Sequence, residues 1–162
     1  MKSKNTDSLS SEQAYLHALR LLTARDYTEA RLREKFRLKN YDDADIETVL
    51  CRLTSEGWVD DRRFAERFAE SALASTRYFG PRLRQEMRRR GIPQDIVSEV
   101  LGRVLEDHDE TGDIRLILVR RFGAFSLSTA SDKEKRRAVG FLQRRGFSLT
   151  AIFKAMRTEN DE

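Results

Sequence analysis

Cysteine is almost absent from this chain: Cys51 stands alone, so no internal disulfide can form, which suits a reducing compartment. Beside Leu50 it reads as a small apolar residue of a helix. Histidine is nearly as scarce. His17 falls within the first helical stretch and reads as a surface or boundary residue, and His108 lies in an acidic linker and reads as solvated. With Cys51 they make no C-x-x-C or H-E-x-x-H spacing, which argues against a metal site. No apolar run approaches the ~18 residues of a spanning helix, and the first residues, MKSKNTDSLS, lack the apolar stretch of a signal peptide. A soluble, cytoplasmic protein is expected. No strand-like alternation of useful length occurs, which removes a sheet. No glycine-rich phosphate loop occurs either, so nucleotide hydrolysis would belong to a partner. The nearest thing to a carboxylate pair, Asp60 with Asp61, reads as a helix start. The chain is expected to be no enzyme and to need no cofactor.

What is abundant is charge. Asp, Glu, Lys and Arg make up 36% of the 162 residues, against 39% apolar residues, so thin buried layers are expected rather than one thick core. The net charge of +4 is the small difference of 31 bases and 27 acids. Any basic field must therefore come from clustering.

The apolar positions repeat. At an offset of 51, Leu32, Phe36, Tyr41, Ile46, Val49, Leu50 and Leu53 fall on Leu83, Met87, Ile92, Val97, Val100, Leu101 and Val104 without a gap. A further offset of 55 carries Leu83, Met87, Gly91, Ile92, Val97, Val100 and Leu101 onto Ala138, Leu142, Gly146, Phe147, Ile152, Ala155 and Met156. A unit present three times is the signature of a repeat architecture.

Each unit reads as three helices. Ser10 with Gln13 has the spacing of a capping box ahead of a helix carrying Tyr15, Ala18, Leu19 and Leu22 on one face. Thr28 caps a second helix and Asp42 or Asp43 a third. In the middle unit Asp60 or Asp61 starts a helix buried through Phe64, Ala65, Phe68, Ala69 and Leu73. Pro81 takes a first-turn position, Gly91 a left-handed helix end, and Pro93 opens the next helix. In the last unit Ser131 with Glu134 repeats the capping box and Ser148 caps a short final helix. The fold class is thus all-α: three tandem three-helix repeats, each of ~45 residues and too small to be stable alone, forming an elongated, curved, solenoid-like chain. The expected boundaries are a flexible N-terminus over residues 1–10, repeats over 11–57, 58–107 and 108–157, and an acidic tail over 158–162. EDHDETG, between the second and third repeats, reads as the looser linker, and FGAFSLSTAS as an exposed loop. Trp58, in the other linker, reads as a packing plug between repeats, next to Asp60, Asp61 and Phe64.

The stretch GPRLRQEMRRRGI, Gly80 to Ile92, holds five arginines and a single acid, Glu86. Leu83 and Met87 mark its buried stripe, while Arg82, Arg84, Arg88 and Arg89 point elsewhere. The corresponding helix of the third repeat carries Lys133, Arg136, Arg137, Arg144 and Arg145, and the first repeat a weaker version in Arg31, Arg33, Lys35, Arg37 and Lys39. A charged face is often only a solvated one, but so few compensating acids argue for an anionic partner. Gln85 and Gln143 are the main base-reading candidates and no aromatic array accompanies them, so phosphate or acidic-protein contact is expected rather than sequence reading.

GWVDDRRFAERFAESALASTRYFGPRLRQEMRRRGI, Gly57 to Ile92, resembles the RecX family of bacterial regulatory proteins: paired acids in a turn, then Arg, Phe and Ala, then a Gly-started helix ending in Gly-Ile. LLTARDYTEARLREKF and KRRAVGFLQRRGF support the resemblance, which spans about Tyr15 to Met156. One departure is Asn40, where family members often have Gly; Asn tolerates the same left-handed backbone. The resemblance implies three tandem three-helix repeats and, as partner, the RecA recombinase filament on single-stranded DNA; the chain itself is expected to be a monomer. It implies a modulator, usually an inhibitor, that lies in the filament's helical groove and limits filament growth, strand exchange, ATP hydrolysis and the co-protease activity behind the SOS response. Contacts spread over several protomers would add effective concentration. The site residues expected are Arg82, Arg84, Arg88, Arg89, Lys133, Arg136, Arg137, Arg144 and Arg145, with weak non-specific DNA binding an accompanying expectation. The alternative is a free-standing helix-turn-helix DNA-binding protein, against which the final helices of the last two repeats carry few base-reading side chains.

Overall fold

The structure, a computed structural model, describes residues 7–123 and 125–157. Among these the chain is all-helical, with α1 (Asp7–Ala24), α2 (Glu29–Leu38), α3 (Asp43–Ser55), α4 (Asp61–Ala74), α5 (Gly80–Arg89), α6 (Gln94–Leu105), α7 (Glu110–Phe122), α8 (Asp132–Arg145) and α9 (Leu149–Arg157). Taken three at a time they are the three repeats. The chain divides into two compact units: residues up to Arg67 with Met87–Val97, and Phe68–Glu86 with the residues from Ser98 on. The middle repeat is shared out between them, since the divisions fall inside α4, α5 and α6.

In the first unit α1 and α2 both pack on α3. Ala14, Tyr15 and Ala18 of α1, Leu32 and Phe36 of α2, Ile46, Val49, Leu50 and Leu53 of α3, and Val59 form one buried cluster, bordered by the partly buried Leu19 and Leu22. The spacing of three and four residues within each helix is what turns these side chains to one side. Thr28 caps α2 by accepting the Arg31 N–H at 3.3 Å. Asp42 is the N-cap of α3 but makes no side-chain capping bond. Helix α1 begins at Asp7, so Ser10 lies inside the helix rather than ahead of it. Cys51 is exposed, not packed. One residue beyond Leu50 is about 100° further round the helix, which carries the thiol off the buried face.

In the second unit Ile114, Ile117 and Leu118 of α7 meet Ala138 and Leu142 of α8, Phe147, and Ile152, Ala155 and Met156 of α9. Ser131 and Glu134 form a complete capping box, and Ser148 accepts the Ala151 N–H at 3.2 Å at the head of α9. Two expectations need correcting. The stretch after α7 is not simply exposed, because Phe125 and Leu127 pack partly against this core. The acidic linker is a tight turn. Asp109 caps α7 through the Gly112 N–H at 2.9 Å, and His108 is sheltered rather than solvated, its Nε2 2.7 Å from Asp113 and its ring 5.7 Å from that of Phe79.

Each unit contains a junction between successive repeats, built in the same way. In the first, the end of α5 lies against the start of α2. The Thr28 hydroxyl donates to the Arg90 carbonyl at 2.5 Å and Arg31 Nη2 to the Arg89 carbonyl at 2.7 Å, while a Cβ on Gly91 would run into Ala30. In the second, the end of α8 lies against the start of α5. The Phe79 N–H donates to the Arg145 carbonyl at 2.7 Å, Phe147 stacks on Phe79 at 4.9 Å, and a Cβ on Gly146 would meet the Phe79 carbonyl and Arg82. Carbonyls at the negative end of one helix thus meet donors at the positive end of another. The glycines, at φ 79° and 105°, supply both the left-handed turn and the space.

Candidate functional site

Helices α5 and α8 present most of the cations singled out by the sequence, because their apolar residues, Leu83 and Met87 in one and Ala138 and Leu142 in the other, are fully buried and turn the rest outward. The cations are not equivalent. Arg82 is tied down: Nη2 pairs with Glu86 at 2.9 Å and Nη1 donates to Gln85 at 2.9 Å. Glu86, at 3% exposure, is the buried acid of α5 and needs that partner. Arg84 donates to the Ser98 hydroxyl at 3.2 Å. Arg88 and Arg89 are exposed, and the Arg89 carbonyl takes the hydrogen bond from Arg31.

On α8, Lys133, Arg136, Arg137 and Arg144 are exposed, and among the described residues none has an ion pair or side-chain hydrogen bond; Arg88 shares this state. Arg145 differs. It is half-buried, its Nη1 donates to the Thr76 carbonyl, and its guanidinium lies 4.5 Å from the centre of the Phe141 ring. Within the second unit Arg82 and Arg144 come together, with Pro81, Gln85, Gln143 and Gly146, around an open groove of about 440 Å³ at the α5–α8 junction. Arg145, next in sequence to Arg144, faces away from it toward Thr76.

At the same position in the first repeat the arginines are paired with acids. On α2, Arg31 pairs with Glu34 at 2.6 Å, Arg33 with Glu29 and Glu47 at 2.7 and 2.8 Å, and Arg37 with Asp43 at 3.0 Å. The bonds to Glu47 and Glu29 hold the Arg33 proton more tightly than usual, and Glu47 is pushed below the ordinary carboxylate range by Arg33. These pairs form a solvated face with its charge locally satisfied.

The linker residues differ in their surroundings, and one expectation about them needs correcting. Trp58 is 49% exposed and plugs nothing; the buried linker residue is Val59, at 2%. The indole hydrogen-bonds Glu56, whose carboxyl is held low first by the Tyr15 hydroxyl and then by Arg52. Asp60 accepts the Arg63 N–H at 2.9 Å, as a helix cap does. Asp61 accepts the Glu29 N–H at 2.9 Å, so it caps α2 of the preceding repeat as well as starting α4, and burial raises its pKa. Phe64 is half-buried beside a groove that also holds Tyr27 and Arg90. Arg77 and Arg121 lie close enough to Arg145 for their charges to be felt there, a proximity that nothing local in the sequence signals. Among the described residues no group of three His, Cys, Asp or Glu could hold a metal ion, and no helix is long and apolar enough to cross a membrane.

Three family models match in order: the first three-helix domain of RecX over residues 14–53, the second over 60–101 and the third over 114–156. A protein of Trichlorobacter lovleyi called Regulatory protein RecX is 40% identical over 142 residues, covering 88% of this chain and 92% of its own. Proteins of the same name from Syntrophotalea carbinolica and Thermus thermophilus are 37% and 34% identical, over 87% and 93% of this chain and 92% and 94% of theirs. The crystal structure of RecX from Lactobacillus salivarius superposes with a TM-score of 0.76 at 17% identity, covering 94% of this chain and 98% of that one, a likeness of fold.

Proposed function

Because the chain belongs to the RecX family of regulatory proteins, we propose that it is a non-enzymatic cytoplasmic regulator that binds the RecA recombinase filament and restrains its ATP hydrolysis, strand exchange and co-protease activity. The observation that carries this reading is the set of outward cations without partners on α8, Lys133, Arg136, Arg137 and Arg144. An exposed cation already paired to a neighbouring carboxylate gains little from a partner, whereas an unpaired one adds its full interaction with a negative surface. The α5–α8 groove with Arg82 and Arg144 lies beside this face and would take part in the contact. Binding of this kind raises the association rate and weakens as salt screens it.

Co-sedimentation with RecA filaments formed on single-stranded DNA, at low and high salt, tests the proposal. The protein should pellet with filaments at low salt, and Arg136→Glu with Arg137→Glu should leave it in the supernatant. Pelleting of that double variant at wild-type levels would refute the assignment. Selective retention on bare duplex would favour a stand-alone DNA-binding protein instead.

A further inference from the structure

Three arginines far apart in sequence come close together in the second unit, two of them over one aromatic ring. Phe141, in the middle of α8, is half-buried and held edge-on by Phe122 at 5.8 Å. Two guanidiniums approach that ring: Arg145, one helical turn further along α8, at 4.5 Å, and Arg121, near the end of α7, at 5.7 Å. Arg145 also donates Nη1 to the carbonyl of Thr76, whose backbone is left-handed at φ 50°. Arg77 follows directly and is exposed, its guanidinium 5.2 Å from the Tyr78 ring.

Among the described residues none of these three side chains has a carboxylate partner. This is unusual in a chain where α2, α3 and α5 all supply acids to their arginines. The like charges are felt: burial first, then Arg121 and Arg77, make the Arg145 guanidinium easier to deprotonate than normal. Charges held together with no counter-ion are stabilised by whatever anion fills the gap.

We propose that Arg77, Arg121 and Arg145 form a nucleic-acid backbone site that grips consecutive phosphodiester groups. Guanidinium forks match phosphate oxygens in pairs. Arg145 is anchored by Thr76 and Phe141, so part of its fork is fixed before binding. A strand carries one charge per roughly 3.4 Å, a density that protein acids interleaved with bases rarely reach. This favours phosphodiester over an acidic protein surface as the occupant. Arg77 and Arg121 supply the exposed charges, and Arg145 positions the pair as well as contributing its own. The site is separate from the α8 face offered above to the recombinase and does not depend on that reading.

The test uses no recombinase. Binding of the full chain to labelled oligothymidylate, to a duplex of equal length and to polyglutamate is followed by anisotropy over a salt series. For Arg77→Gln with Arg121→Gln, whose side chains are exposed, oligonucleotide affinity should fall about tenfold. The log–log salt slope for the single strand should become shallower by about 1.4, the share of two phosphate contacts. Arg77→Lys with Arg121→Lys should keep the slope and lose part of the affinity, since charge remains and the fork does not. Loss on the strand, the duplex or both identifies the form gripped. Wild-type-like nucleic-acid binding by the glutamine pair overturns the proposal. So does a loss confined to polyglutamate, or an equal loss in Arg136→Gln with Arg137→Gln, which would reflect net charge alone.

Discussion

At Gly91 and Gly146 a single hydrogen atom decides whether neighbouring repeats can meet. Each residue needs a left-handed backbone, and each has the start of the preceding repeat's second helix where a side chain would project. Alanine at either position adds a left-handed penalty of about 1–2 kcal/mol to a steric clash, so Gly91→Ala and Gly146→Ala should each destabilise the protein by more than about 2 kcal/mol in denaturant titrations. Milder loss would mean that the junctions are loose. Thr76 is the converse case. It ends α4 at φ 50°, with its N–H bonded to the Leu73 carbonyl at 2.8 Å and the Arg77 N–H to the Ala72 carbonyl at 2.9 Å, a position where glycine is usual. Thr76→Gly should therefore raise stability by about 1 kcal/mol, the relieved strain exceeding the entropy of an added glycine. A lower unfolding midpoint would show that the threonine is not strained.

Among the elements, α2, α5 and α8 are one helix written three times with different charge chemistry. On α2 every arginine has a carboxylate, on α5 the acid is buried and spent on Arg82, and on α8 the exposed cations have none. Their apolar stripes were readable from the offsets of 51 and 55, as were the caps Thr28, Ser131 and Ser148, because both depend on spacing within a few residues. Long-range pairings were not readable. That Arg145 turns to Thr76, or that Asp61 caps α2, is decided by how repeats meet, and no local pattern encodes it. Cys51 and Trp58 failed for a related reason: residue type suggested burial, while helix phase and the deeper Val59 left both exposed. The end of α3 carries a pH signature. Glu56 titrates below its ordinary value of 4.5 because the Tyr15 hydroxyl, at 2.5 Å, and then Arg52, at 2.9 Å, donate to its charged form. A carboxyl depressed in the folded chain adds stability that is complete above the unfolded value and lost as pH falls through the folded one. Wild-type protein should thus lose stability more steeply than Glu56→Gln as pH drops below about 4.5. Parallel curves in pH-dependent thermal melts would contradict this.

For the whole molecule, the net charge of +4 understates what a partner would meet, since most arginines of the first repeat are satisfied within it and the exposed cations of α8 are not. The repeat pattern made the fold class legible before any coordinates, and the family match agrees with it. Which cations are available to a partner came only from the pairings. The most direct measurement of the central claim is RecA-dependent ATP hydrolysis on single-stranded DNA in the presence of this protein. Wild type should inhibit, with potency falling as salt rises, and Arg136→Glu with Arg137→Glu should inhibit at least about tenfold less well at unchanged helical content, a loss of roughly 1.4 kcal/mol. Equal inhibition by the wild type and that variant, insensitive to salt, would contradict the account.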